Sequence, residues 1–207
     1  MNGRSLRRRL ALLALAAPLT ACVTLHDPAE RPTDLTGDKV LVVGRIELVP
    51  PLWADEQRLF LGADPFNTRR YYQGRAVLFL ADTPVERDQT GDAINPQLEQ
   101  GFAIAVPRSR RFVVGGGVAM NLDLRAVSAR QAVLDRSDLH LPVPLEFDFR
   151  PGDRAIYIGT LRIYRDEFHS VVRAEVRDEY AATAAEHSRR FGPDVPLRRA
   201  LLRMPRA

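Results

Sequence analysis

Apolar and polar residues alternate with a period of two along much of this chain, a rhythm that predicts strands rather than helices. It is clearest where Val143, Leu145, Phe147 and Phe149 interleave with Pro144, Glu146, Asp148 and Arg150. The same rhythm sets Leu122, Leu124 and Ala126 against Asn121, Asp123 and Arg125, and Val172, Ala174 and Val176 against Arg173, Glu175 and Arg177. Such segments are half-buried, with one face in a core and one in water. Two longer runs, 40–49 and 155–164, are apolar on both faces and are expected at the centre of a sheet. Strict alternation in the second sets Ile156 and Ile158 opposite Tyr157, Leu161 and Ile163. Further strands are expected at 58–61, 75–80, 102–106 and 111–114, with turn residues between nearly all of them.

One segment keeps a helical rhythm. Asp178-Glu179 precedes residues 180–191, where Tyr180, Ala184, His187 and Phe191 share a face, and Gly192-Pro193 ends it. Acidic residues at the start and Arg189-Arg190 at the finish suit the helix dipole. This helix is expected to dock on a sheet or to cover its open edge. No helical pattern of the length a βαβ crossover needs lies between the strands, so the expected fold is mainly β. It is an antiparallel β-sandwich of about 8–9 strands with one C-terminal helix.

The pattern also divides the chain. Residues 22–38 are polar and rich in turn formers such as Pro28, Pro32 and Gly37, and read as a flexible tether with a reach of roughly 20 Å. Residues 39–193 form one domain, and 194–207 a basic tail. Residues 1–21 differ from all of these: Arg4, Arg7, Arg8 and Arg9 lead into an apolar run at 10–17. That run is too short for a bilayer core, which needs roughly 20 apolar residues, so it reads as an export signal.

The signal ends in Leu19-Thr20-Ala21-Cys22, which resembles the lipobox of bacterial lipoproteins: a branched apolar residue, a small polar one, a small one, then cysteine. The resemblance implies cleavage before Cys22, a diacylglyceryl thioether on its sulfur and an amide-linked acyl chain. Two or more chains make a firm anchor where one does not. The alternatives are an ordinary thiol behind a secretory signal, or an uncleaved segment. The chain has one cysteine and so no internal disulfide partner, which favours lipidation. In the family an aspartate after the cysteine marks inner-membrane retention; Val23 stands there, implying the outer membrane and its periplasmic face.

Removing the signal changes the charge. The whole chain holds 30 basic and 26 acidic residues; four of the basic ones and none of the acidic ones precede Cys22, so the mature chain is formally neutral. No nucleic-acid partner is expected. The tail keeps a local excess of arginine, with Arg198, Arg199, Arg203 and Arg206 against Asp194. Leu197, Ala200, Leu201 and Met204 fall at helical spacing among them. The segment could lie on an anionic membrane surface, or be a solvated end.

Chemical signatures are sparse. There is no Gly-x-Ser-x-Gly, and Ser109, Ser128 and Ser137 sit in ordinary surroundings. Gly115-Gly116-Gly117 lacks the lysine of a phosphate loop and reads as a bulge or bend. His26, His140, His169 and His187 make no metal-motif pair, and Asp138-x-His140 is the nearest approach to one. No metal or cofactor is therefore expected. The acidic stretch 82–99 reads as an exposed excursion able to carry binding. Glu47, Glu146, Asp148 and Glu175 look like wet-face strand residues. Trp53, in Pro50-Pro-Leu-Trp-Ala-Asp55, is either a stacking aromatic for a sugar or peptide, or a pin for its loop.

Two stretches, Phe102-Ala-Ile-Ala-Val-Pro107 with Phe112-Val-Val-Gly115, and Leu145-Glu-Phe-Asp-Phe149 with Pro151-Gly-Asp153 and Ala155-Ile-Tyr-Ile-Gly159, resemble transthyretin-like or carboxypeptidase-regulatory-like β-sandwich modules of envelope lipoproteins. The resemblance implies binding or support rather than catalysis. The expected role is thus a non-catalytic envelope lipoprotein, held to the membrane through lipid on Cys22, whose partner is another envelope protein or peptidoglycan. The rival is an enzyme acting on peptidoglycan or lipid through a carboxylate pair.

Overall fold

A computed structural model describes residues 24–26, 28–29, 31–54, 56, 74–84, 92–118, 144–167 and 170–205. The strands expected at 58–61 and around Leu124 lie outside these residues, as do Cys22, Ser128, Ser137, Asp138, His140, His169 and Arg206. Among the described residues the chain forms β1 (Thr24–His26), β2 (Lys39–Val49), β3 (Ala76–Ala81), β4 (Asp92–Ile94), β5 (Gly101–Pro107) and β6 (Phe112–Val118). These are followed by β7 (Leu145–Glu146), β8 (Ala155–Arg165), β9 (Val171–Arg177), the helix α1 (Tyr180–Phe191) and β10 (Leu197–Arg199).

The strands make a mainly β, sandwich-like fold of two sheets. The first has the order β1-β4-β3-β6-β7, and the second β10-β8-β2-β5, with β9 also paired to β8. The sheets are mixed, which corrects the antiparallel expectation. β2 runs parallel to β8, β10 parallel to β8, and β1 parallel to β4. The physical reason is legible in β2 and β8: both are buried on both faces, as parallel strands are. Their parallel pairing requires a long crossover, and the chain between them builds the whole of the first sheet apart from β1.

The alternation read along β8 is reset by a bulge. Register shifts where Val43 pairs with Tyr157 but Gly44 with Gly159, leaving Ile158 as the extra residue. Ile156, Ile158, Leu161 and Ile163 consequently all join one core, instead of falling on opposite faces. Gly159 takes φ +97°, and a Cβ there would stand 2.5 Å from Val176 Cγ1. Gly44, beside it in register, has the Gly159 carbonyl 2.9 Å from where its Cβ would be. A second bulge, between Tyr164 and Arg165, leaves Val172 out of the ladder and 63% exposed, while Val171, Ala174 and Val176 pack against the core. The glycine run falls in β6 opposite Val77, Leu78 and Phe79, next to a third shift at Phe79/Leu80.

The main core lies between the sheets, where Val40, Val42, Ile46 and Leu48 of β2 meet Leu78, Leu80, Ile94, Val113 and Phe147. A smaller core covers part of the other face of the second sheet: Leu41, Val43, Ala103, Ala105 and Ala155 pack with Phe191 of α1 and Val195. The helix therefore docks on a face rather than an edge. Part of the expected acidic excursion is β4, which pairs with β3 and buries Ala93 and Ile94.

Both terminal segments are folded into the sandwich. Described residues of the expected tether at 22–38 are paired instead with the sheets: β1 pairs with β4 of the first sheet, Pro28 bridges Ile104 of the second, and the Ala29 N–H donates to Ala103 O at 2.8 Å. The domain boundary at 193 likewise moves. β10 pairs with β8 of the second sheet, Leu202 N–H donates to Ile158 O, and Arg203 bridges Glu146 of the first. Each terminus thus closes one lateral seam between the sheets. Extended backbone with these partners replaces the helical spacing read from Leu197, Ala200, Leu201 and Met204. Ala200 and Leu202 enter the core, while Met204 is exposed.

Candidate functional site

β2 ends at Val49, and the chain turns through Pro50 and Pro51 past the buried Leu52 to Trp53. Behind this turn stand Glu56 and Arg165, the latter the last residue of β8; they are 4% and 6% exposed. The guanidinium forks onto the carboxylate, with Nη1 to Oε1 and Nη2 to Oε2 both at 2.7 Å. Arg165 also donates from Nε to Pro50 O at 3.0 Å and from Nη2 to Pro51 O at 2.8 Å. The Trp53 N–H donates to Glu56 Oε2 at 2.8 Å. A buried ion pair is tolerable only when its remaining donors and acceptors are satisfied in this way.

The clamp fixes the loop, so the indole does not have to. Trp53 is 59% exposed, with the Arg165 guanidinium carbon 5.8 Å from its ring centroid. Beside it lies a pocket of about 200 Å³ lined by Pro50, Trp53, Glu56, Arg165, Asp166 and Glu167. Ligand pockets commonly run to about 300–1,000 Å³, so this one fits a single ring or side chain rather than a whole cofactor. An exposed indole with a rigid support is suited to stacking on such a ring.

The carboxylates singled out in the sequence lie apart from it. Glu47 Oε2 accepts from Arg162 Nε at 2.9 Å and Nη2 at 2.6 Å. Glu146 faces Arg203 at 3.4 Å, and Asp148 approaches Arg150 at 3.8 Å. Glu175 accepts from Tyr164 Oη at 2.8 Å, Arg177 at 2.9 Å and Arg173 at 2.9 Å. The Tyr164 hydroxyl first and the Arg177 guanidinium second hold the Glu175 carboxyl below its ordinary pKa. A general acid needs the opposite shift. An open groove of about 700 Å³ at the N-terminus of α1 is lined by Arg45, Arg199, Asp178 and Glu179 among others. Within it Arg199 pairs with Asp178, and Glu179 accepts from Thr160 Oγ1 at 2.8 Å.

No family model, characterised protein or solved structure matches this chain.

Of the arginines expected to touch an anionic surface, the described ones, Arg198, Arg199 and Arg203, are engaged within the fold. Arg198 binds Asp153 through Nε at 2.8 Å and Nη2 at 2.7 Å, and Asp148 O through Nη2. Arg199 pairs with Asp178 and Arg203 with Glu146. Burial works to raise the Asp153 pKa, but hydrogen bonds from Arg198 and the Arg150 N–H, with the charges of Arg198 and Arg108, carry it below the ordinary value. His26 Nε2 lies 3.2 Å from Asp92 Oδ1, and His187 Nε2 is bonded to Val195 O at 2.7 Å. Among the described residues no three potential metal ligands converge. The Glu56–Arg165 clamp was not readable in the sequence, since its members are 109 residues apart. The sole tryptophan beside paired prolines was the available signal.

Proposed function

We propose that this chain is a lipoprotein of the bacterial outer membrane, anchored by lipid on Cys22, whose β domain faces the periplasm as a non-catalytic binding or scaffolding module. The address rests on the lipobox Leu19-Thr20-Ala21-Cys22 behind a cationic, apolar leader. The binding role rests on one observation: an exposed indole, Trp53, is held in place by a buried Glu56–Arg165 ion pair beside a pocket sized for one ring. The partner class is a ring-bearing envelope component, a sugar of peptidoglycan or a side chain of another envelope protein. The lowered carboxyl of Glu175 and the arginine partners of Glu47 and Glu146 support a non-catalytic reading.

The test uses the lipidated protein and a Trp53→Ala variant in parallel. Because the side chain is exposed, the variant should keep its urea midpoint. It should lose co-sedimentation with purified peptidoglycan sacculi or, if the partner is a protein, the corresponding crosslink in intact envelopes. Equal capture of both forms in both assays would refute Trp53 as the contact. Soluble fragments released from the sacculi by the wild type would refute the non-catalytic reading.

A further inference from the structure

We infer that the sandwich sits directly on the membrane surface, with the pole formed by the 107–111 and 150–154 turns against the lipid headgroup phosphates and the Trp53 pole pointing away. The inference rests on the lipid anchor proposed above. It begins with the distance between the anchor and the first paired residue: Thr24 already lies opposite Asp92 in the β1–β4 ladder. From Cys22 to Thr24 the backbone can span at most about 7 Å. The domain is therefore leashed where a tether of the expected length would have lifted it clear of the headgroups.

Contacts then say which part of the domain the leash holds down. Asp92, opposite Thr24, receives Arg110 Nε at 2.6 Å, and Arg110 belongs to the turn between β5 and β6. In the same turn Arg108 donates to Arg150 O at 3.1 Å and to Asp153 O, so the 150–154 turn lies alongside. Ser109, Arg111, Arg150 and Arg154 are exposed at this pole. Of its acids, Asp82 and Asp92 are engaged by Arg110, Asp153 by Arg198 and Asp148 lies 3.8 Å from Arg150, while Asp38 and Asp194 stand exposed. Arg154 donates from Nη1 to Asp194 O at 3.3 Å, and the remaining N–H groups of the exposed Arg150 and Arg154 guanidiniums suit phosphate oxygens. Positive and negative charges both occur here, so it is the leash and not bulk attraction that sets the contact.

The opposite pole is fixed by β2. Lys39 pairs with Pro107 at the membrane pole, and ten residues later Val49 leads into the Trp53 loop. At about 3.3 Å per residue that strand carries Trp53 roughly 30 Å away. The ring-sized pocket thereby faces the periplasm, where a partner can reach it.

The experiment uses the full lipidated chain in phosphatidylcholine vesicles carrying nitroxide on the headgroup. Cys22 is consumed by lipid, so a Ser109→Cys variant gives one thiol for a fluorophore, and the sole tryptophan reports from the far pole. We expect the position-109 label to be strongly quenched and Trp53 to keep its intensity, with or without anionic lipid. A long Gly-Ser insertion between Val23 and Thr24 should relieve the quenching while the protein still floats with the vesicles. A protein that floats but leaves the label unquenched, or quenches Trp53 instead, overturns the orientation and spares the anchor. Quenching that survives the insertion overturns the leash. A protein that fails to float, with no acyl mass on Cys22, defeats the anchor and the orientation together.

Discussion

The two seams of the sandwich are closed by the two chain termini, but not with equal strength. At the C-terminal seam, residues 195–203 bury Val195, Ala200 and Leu202 and bring three arginines onto Asp153, Asp178 and Glu146. At the N-terminal seam the three-residue β1, the Pro28 bridge and the buried Ala29 carry the load. Two polar contacts add to them: His26 to Asp92 at 3.2 Å, and Arg190 Nη2 donating to Ala29 O at 2.8 Å. Full burial of a Val or Leu contributes about 1.5–3 kcal/mol, so the difference in apolar content decides the ranking. The C-terminal seam belongs to the folding core. The N-terminal one is a lighter closure placed next to the proposed anchor.

The most severe way to break the comparison is to delete residues 195–207. That removes β10, opens part of the β8 edge and strips three residues from the cores, so the urea transition should lose its cooperativity. An unchanged cooperative midpoint would show that the C-terminal segment is an accessory. Next comes Gly159→Ala, inside the β8 bulge beside the same seam. A left-handed backbone costs a non-glycine residue about 1–2 kcal/mol and overpacking about 1–3. A loss of roughly 2–4 kcal/mol is expected from urea denaturation, and wild-type stability would reject the bulge geometry.

Asp153→Asn tests the ion pair that holds β10. Loss of a charge-assisted bond at a mostly buried site should cost about 1.5–3 kcal/mol at neutral pH. The sign with pH follows from the lowered folded pKa. The carboxylate's contribution is full above its unfolded value of about 3.9 and is lost as pH falls through the folded one. Wild type and variant should therefore differ most at neutral pH and converge in acid; a constant gap would contradict the assignment. The smallest effect is expected from His26→Ala at the N-terminal seam, where the ring lies 3.2 Å from Asp92 without a hydrogen bond. Cooperative unfolding should be kept, and cleavage near residues 24–29 should become faster under limited proteolysis.

The contrast also explains what could be read from the sequence. The long strands were legible as continuous apolar runs: 40–49 became Lys39–Val49, 155–164 became Ala155–Arg165, and the helix fell at Tyr180–Phe191, whereas the clearest alternation, at 143–150, is strand only at Leu145–Glu146 among the described residues. β1, β4 and β10 are three residues each, too short to show a rhythm, and all three pair in parallel with distant partners. Both terminal segments consequently read as loose. Direction failed for the same reason, since burial on both faces marks β2 and β8 as central without naming the neighbour. Bulges at Ile158 and Val172 broke the period-two reading locally, and only Gly159 hinted at the first. At the candidate site Trp53 was visible as the sole tryptophan, open to reading as a stacking aromatic or as a pin for its loop, whereas its Glu56–Arg165 support depended on a contact that only folding creates.

The account stands on the chemistry of one sulfur atom. Mass spectrometry of the N-terminal peptide from the mature, membrane-extracted protein tests it most directly. The expected product begins at Cys22 and carries the mass of a diacylglyceryl thioether and an amide-linked acyl chain; an unmodified cysteine, or an N-terminus at another residue, would contradict it.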